Sequence, residues 1–265
     1  MGQTHIDRFF SSKANMNGVR LFIAWLFINT TFCCNSQNAE RDIILINVDT
    51  LDRIGIANLV KVINKQEPKV IAIDLQFVHS TEYSKDWLLF NELSKCKSLV
   101  MSSLIGDYTG EEIEYKRFVE ESQPQFLTNA KTGFTNTVTE RDGFETLRRF
   151  STKELVDGQI EYHFAIRIVM EYDSTKAMNF VRQSPKIVFV DYKGGQRKFK
   201  TLLSTEVLNR KRSLGEIKGK IVMLGFLGPG NEDKFYTPLN KDSKEPDMYG
   251  LEYLAHILAQ VLESN

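Results

Sequence analysis

The chain has 265 residues, with 42% apolar and 26% charged side chains, enough to bury a sizeable globular core. Lys and Arg together number 34 and so do Asp and Glu. That balance excludes a nucleic-acid binder, which needs a basic surface to displace counterions. Three cysteines, two of them adjacent (Cys33–Cys34) and one alone (Cys96), exclude a disulfide framework, and Cys96 reads as a small buried residue.

The first forty residues form one unit of the organisation and residues 41–265 the other. Met1–Gly18 is polar, with Arg8 and Lys13, and "VRLFIAWLFINTTFCC" (Val19–Cys34) follows. Its uninterrupted apolar stretch, Leu21–Ile28, is short for a bilayer span, which takes about 20 residues. A positive flank, an apolar stretch and then the polar "NSQNAERD" match the order of an export signal. The alternatives are a short retained anchor, a lipidated cysteine (disfavoured by Phe32 before Cys33) and a buried N-terminal helix.

From Arg41 the pattern is that of an α/β domain. "RDIILINVDTLD" is apolar on both faces and reads as a buried parallel strand. In "RIGIANLVKVINKQEP", Ile56, Leu59, Val60 and Ile63 fall at helical spacing, and Pro68 marks the stop. "KVIAIDLQF" (Lys69–Phe77) is the next strand, "SKDWLLFNELSKCK" a second helix and "SLVMSSLI" (Ser98–Ile105) a third strand. The acidic "EEIEYKRFVEES" predicts a short helix within a polar excursion. Thr132–Leu155 alternates and predicts an antiparallel extension of the sheet turning at Arg141–Gly143. "EYHFAIRIVMEYD" returns to helical period. "KIVFVDYKGGQRKFKTLLS" predicts a strand, a turn at Gly194–Gly195 and a short partner. "STEVLNRK" is a short helix, "GKIVMLGF" the last core strand, and "YGLEYLAHILAQVLESN" a closing amphipathic helix. The order predicts a three-layer α/β fold: a mostly parallel sheet with an antiparallel extension and helices on both faces. Ile44, Ile46, Val70, Ile71, Ile73, Val222 and Leu224 are the expected core.

Open parallel sheets bind ligands beyond the carboxyl ends of their strands. Asp49, Asp74 and Asp233 fall there, and Thr237 adds a hydroxyl at the end of the last loop. These four are the candidate ligand-binding residues; the competing reading is that the acids cap helices or bond to loop amides. "GFLGPGNED" (Gly225–Asp233) is glycine-rich after a strand, as phosphate loops are. It lacks both the G-x-x-x-x-G-K-[ST] and the G-x-G-x-x-G spacing, and Pro229 removes an amide donor. Gly228 and Gly230 predict a chain reversal instead. His5, His79, His163 and His256 are scattered, and no serine sits in a nucleophile elbow. No catalytic residue, metal site or cofactor is predicted.

These pieces in this order resemble the type-two CHASE family, and most closely its members from Bacteroidetes-type bacteria. The likeness runs from about Asp42 to Leu262. It is carried by the strand ending in Asp74 and Phe77, by the Gly133–x–x–Asn136 strand with its acidic turn and following Arg, and above all by "KGKIVMLGFLGPGNEDKFYTPLN" and "PDMYGLEYLAHILAQVL". In the last two the family has a Gly-Lys strand ending in Gly, then an Asp, a Thr-Pro and a Met–x–Gly helix start. Where members often carry His-Ala in the final helix, this chain has Leu254–Ala255. The resemblance implies an extracytoplasmic sensory domain of a bacterial envelope protein. Such a domain binds a small ligand or an envelope protein partner and catalyses nothing, and it is normally joined to membrane helices or an output module. Two rival classes remain open from the residues alone: a divalent-cation-dependent hydrolase or transferase using the strand-end acids, and a structural module of the envelope.

Overall fold

The computed structural model describes residues 39–109, 114–139, 144–192, 199–209, 213–240 and 245–264. The segment Val19–Cys34 and the turns expected at Arg141–Gly143 and Gly194–Gly195 lie outside the described residues. Residues 37–265 make up one compact unit.

Strand β1 (Ile43–Asn47) is buried along its whole length. Helix α1 (Arg53–Asn64) starts at Asp52, whose carboxylate accepts from the Gly55 amide at 2.9 Å, and presents Ile56, Leu59, Val60 and Ile63 inward. Strand β2 (Val70–Ile73), helix α2 (Tyr83–Leu93) and strand β3 (Leu99–Thr109) follow. After β4 (Glu114–Glu120) come β5 (Ala130–Phe134), β6 (Val138–Thr139), β7 (Leu147–Ser151), β8 (Lys153–Val156) and β9 (Gln159–Tyr162). Helices α3 (Phe164–Tyr172) and α4 (Ser174–Gln183) precede β10 (Ile187–Phe189), β11 (Lys200–Leu203), the short helix α5 (Ser204–Leu208) and β12 (Ile221–Gly225). The chain closes with β13 (Lys234–Phe235), β14 (Met248–Tyr249) and helix α6 (Gly250–Glu263).

The main sheet runs β11-β1-β12-β2-β3-β4-β8-β9, with β5 paired to β3. Every pairing among β11, β1, β12, β2, β3 and β5 is parallel. The antiparallel part is β4 against the second half of β3, and the β8–β9 hairpin. This is the three-layer α/β fold, with helices on both faces of the sheet.

Period-two alternation divides the core between the faces. Ile43 and Leu45 of β1, Val70 and Ala72 of β2, and Ile221 and Met223 of β12 pack with α3, α4 and α6. Ile44 and Ile46, Ile71 and Ile73, and Val222 and Leu224 pack with α1, α2 and α5. All seven residues expected in the core are buried. Cys96 is buried as well, and burial pushes its thiol up to about 12.

Three local expectations are corrected. The segment read as a short helix from Glu111 is, in its described part, strand β4. Strand β3 outruns β2, and the backbone groups of its second half are satisfied by β4 at Gly106↔Arg117 and Tyr108↔Tyr115. Helix propensity of a Glu-rich stretch is a weak prior that such pairing overrides. The stretch Thr132–Leu155 does not form one antiparallel hairpin on the main sheet. Its first strand, β5, joins β3 in parallel, whereas β6 and β7 form a separate three-stranded sheet with β10. Strands β10 and β11, expected to pair, do not meet: β10 lies antiparallel to β7, and β11 lies parallel to β1 at the sheet edge.

Candidate functional site

A cavity of about 540 Å³ opens at the carboxyl ends of the parallel strands. Asp74, Leu75 and Gln76 follow β2, Phe226 follows β12, and Thr135, Asn136 and Thr137 follow β5. Leu104 of β3, Asp233 from the loop after β12, Phe235 of β13, and Gly250, Tyr253 and Leu254 of α6 complete the wall. The alternation that sends Val70 and Ala72 toward α6 sends Asp74 and Gln76 the same way, so β2 delivers its acid to the space under the first turns of that helix.

Two close approaches shape the site. At the end of β12, a Cβ on Gly225 would lie 2.9 Å from a Leu251 methyl, so glycine there lets α6 lie close over the strand. At the start of α6, a Cβ on Gly250 would lie 3.2 Å from Asp233 Oδ1. Without that Cβ, the carboxylate sits against the first turn of the helix, where the dipole favours an anion. The Gly250 amide also donates to the Asp233 carbonyl at 2.9 Å, fixing the loop to the helix.

Asp74 lines the cavity and is otherwise enclosed by protein. Burial pushes its carboxyl up to about 6; a hydrogen bond from the Ser102 hydroxyl pulls the other way, and the charge of Asp233 adds to the rise. Ser102, fully buried on β3, accepts in turn from Gln76 Nε2 at 2.8 Å. Burial likewise raises Asp233 to about 6. One acid follows β2 and the other comes from the loop between β12 and β13, and both line one chamber. Asn136 turns its side chain toward β3, where Oδ1 accepts from the Ile105 amide at 2.9 Å and Nδ2 donates to the Ile105 carbonyl at 2.8 Å. It thereby takes the place of a strand neighbour and holds the cavity wall. Tyr253 closes the back, its hydroxyl donating to the Arg149 carbonyl at 3.0 Å.

Of the four candidate residues, the structure brings Asp74 and Asp233 together and places Asp49 and Thr237 elsewhere. Asp49 is exposed, two residues beyond β1, in a left-handed turn (φ 49°) that Asp tolerates, its amide donating to Asn47 Oδ1. It does not line the cavity, and the capping of α1 falls to Asp52. Thr237 is buried and tied to Asp247: its amide donates to Oδ1 at 2.8 Å and its hydroxyl to Oδ2 at 2.7 Å. It anchors the loop that carries Asp233 without facing the cavity itself. The reversal expected in that loop is present, with Gly230 at φ 104°, and the Leu227 amide is held by Asn47 Oδ1 at 3.0 Å. Reasoning on strand-end acids overlooked Gln76, Thr135, Thr137 and Tyr253. The Gly133–x–x–Asn136 pattern was the available signal for that part of the wall.

The two histidines placed on helices are both fully buried. His163 caps α3, accepting from the Ala165 amide at 3.3 Å, and burial lowers it to about 3. His256 packs against Tyr192 and Phe199. Among the described residues no group of three or more His, Cys, Asp or Glu is placed to hold a metal ion, and no helix is long and apolar enough to cross a membrane.

These features define the class: an α/β domain with a cavity at the carboxyl ends of its parallel strands. The model of the CHASE2 domain family matches residues 37–265, and the chain belongs to that family of extracytoplasmic sensor domains. No curated protein and no solved structure shows significant similarity to it. Of the residues that carry the family pattern, Asp74, Asn136, Asp233 and Gly250 all line the cavity.

Proposed function

We propose that this chain is the sensory part of a bacterial envelope protein and binds a small molecule in the cavity between β2, β5, β12 and α6, without transforming it. The observation that carries the reading is the cavity itself. Its volume lies in the range of small-ligand sites, about 300–1,000 Å³, and it combines apolar walls with a few convergent polar groups. Asp74 and Asp233 are the ligand-contacting acids; Asn136 and Thr237 hold the elements that carry the walls. Asp49 has no part in this chamber, and its place as a ligand residue would have to be at a separate surface. The position of α6, one wall of the cavity and close over β12, supports a route by which an occupied cavity alters the closing helix.

Location outside the cytoplasm, with the N-terminal segment acting as export signal or anchor, accords with the family and with the charge order around Val19–Cys34. The test is a thermal-shift screen of metabolites on the full chain. A ligand at about 100 times its Kd stabilises by about 2.7 kcal/mol. A specific hit that is lost in Asp74→Asn or Asp233→Asn supports the reading. A screen in which no compound shifts the transition counts against it, and turnover of a substrate lost in the same variants replaces it with an enzyme.

A further inference from the structure

Several acids elsewhere in the domain are matched by cations: Asp86 by Arg53, Glu154 by Lys186, Glu92 by Lys95, Asp42 by Lys220. Asp74 and Asp233 are not. Among the described residues no Lys, Arg or His lines their cavity, and neither acid forms an ion pair. Two carboxylates therefore face one chamber with only neutral protein groups around them. Ionised carboxylates in such a place are costly unless a positive charge joins them.

The walls say what carries that charge. Leu75, Leu104, Phe226, Phe235, Tyr253 and Leu254 supply an apolar and aromatic lining. Aromatic faces attract organic cations as well as hydrocarbon. Gln76, Thr135 and Thr137 bring carbonyl and hydroxyl oxygens that accept from an ammonium. A calcium or magnesium ion wants about six or more oxygen ligands in a tight shell. The described residues place no group of three or more acidic, His or Cys side chains for one.

We propose that the cavity takes an organic amine: the protonated ammonium sits between Asp74 and Asp233, and its hydrocarbon body lies against Phe226, Phe235 and Leu254. This rests on the small-ligand reading above and specifies its chemistry. The ammonium supplies the counter-charge that the fold withholds. The body fills the apolar end, so a small inorganic cation leaves most of the chamber unfilled.

The experiment is calorimetric titration of the full chain with matched probes: phenethylamine and n-butylamine, the corresponding alcohols, the corresponding carboxylates, and the chlorides of magnesium and calcium. The amines are expected to bind at least about tenfold more tightly than the alcohols, since a charge-assisted hydrogen bond is worth a factor of that order, and the carboxylates not at all. Asp74→Asn and Asp233→Asn should each remove that preference while leaving the weak affinity for the alcohols, which shows that the variants fold and keep the cavity. Alcohols binding as well as amines, or carboxylates binding better, overturns the amine assignment and leaves the small-ligand reading standing. Metal chlorides binding in place of the amines, with loss in the same variants, overturns it in favour of a metal site. If no probe binds, the amine assignment falls; the small-ligand reading falls only if the metabolite screen is also blank.

Discussion

Replacing Asp74 by Asn should stabilise the protein at neutral and alkaline pH. The side chain keeps its size and its acceptor for the Ser102 hydroxyl, but the charge is gone. The carboxyl of Asp74 titrates at about 6 in the fold against 3.8 as a free side chain, because burial opposes ionisation and Asp233 repels it. A group whose native pKa is raised binds more protons in the folded than in the unfolded state between those values. The native protein is thus favoured on the acid side and loses stability as pH rises from about 4 to about 6. At 1.36 kcal/mol for each pH unit of separation, the ionised Asp74 costs about 3 kcal/mol once pH is well above 6. Urea denaturation of both proteins reads this directly. The variant should be more stable by about 3 kcal/mol near pH 8, and the gain should shrink to roughly 1 kcal/mol near pH 4.5. Comparing variant with parent cancels titrating groups that do not interact with Asp74, Glu252 among them; Asp233, which repels Asp74, is relieved in the variant and adds to the same gain. A variant less stable than the parent near pH 8, or an equal difference at both pH values, would refute the claim that this carboxylate is ionised against its surroundings.

Asn136→Ala should leave the Ile105 amide and carbonyl unpaired on the buried strand, at about 1–3 kcal/mol for each group, measured as a lower urea midpoint. Gly225→Val should force α6 away from β12 through Leu251, costing about 1–3 kcal/mol and weakening any ligand of the cavity, read by denaturation and titration together. Leu26→Arg puts a charge into the apolar N-terminal stretch, where insertion costs about 2.5–3.5 kcal/mol; a reporter fused after Asn265 should then stay in the cytoplasm, and unchanged export would show that the segment is not the signal.

The buried strands and the helices that cover them were legible in the chain, because each depends on short-range periodicity. Continuous apolar runs such as "IILIN" and "VIAI" identify strands with two covered faces, and Ile56, Leu59, Val60 and Ile63 identify the stripe that α1 turns inward. Asp74 was legible as a strand-end acid for the same reason: parity and strand length act within a few residues. Asp49 shows the limit of that reasoning. Asp49 itself takes the left-handed turn, its amide donating to Asn47 Oδ1, and so lies at the surface.

What only the tertiary structure decided is which distant groups meet. Strand β4 forms because β3 outruns its parallel neighbour and leaves backbone groups to be satisfied, a condition set by the length of β2 in another part of the chain. Strand β11 crosses to β1, and β10 to β7, for want of nothing in their own residues. The pairing of Asp74 with Asp233, separated by most of the domain in sequence, requires β12 to insert between β1 and β2 and α6 to lie close over Gly225. Local propensity is a property of neighbours along the chain. A cavity is a property of surfaces brought together by packing, and its charge is known only when the residues around it are known.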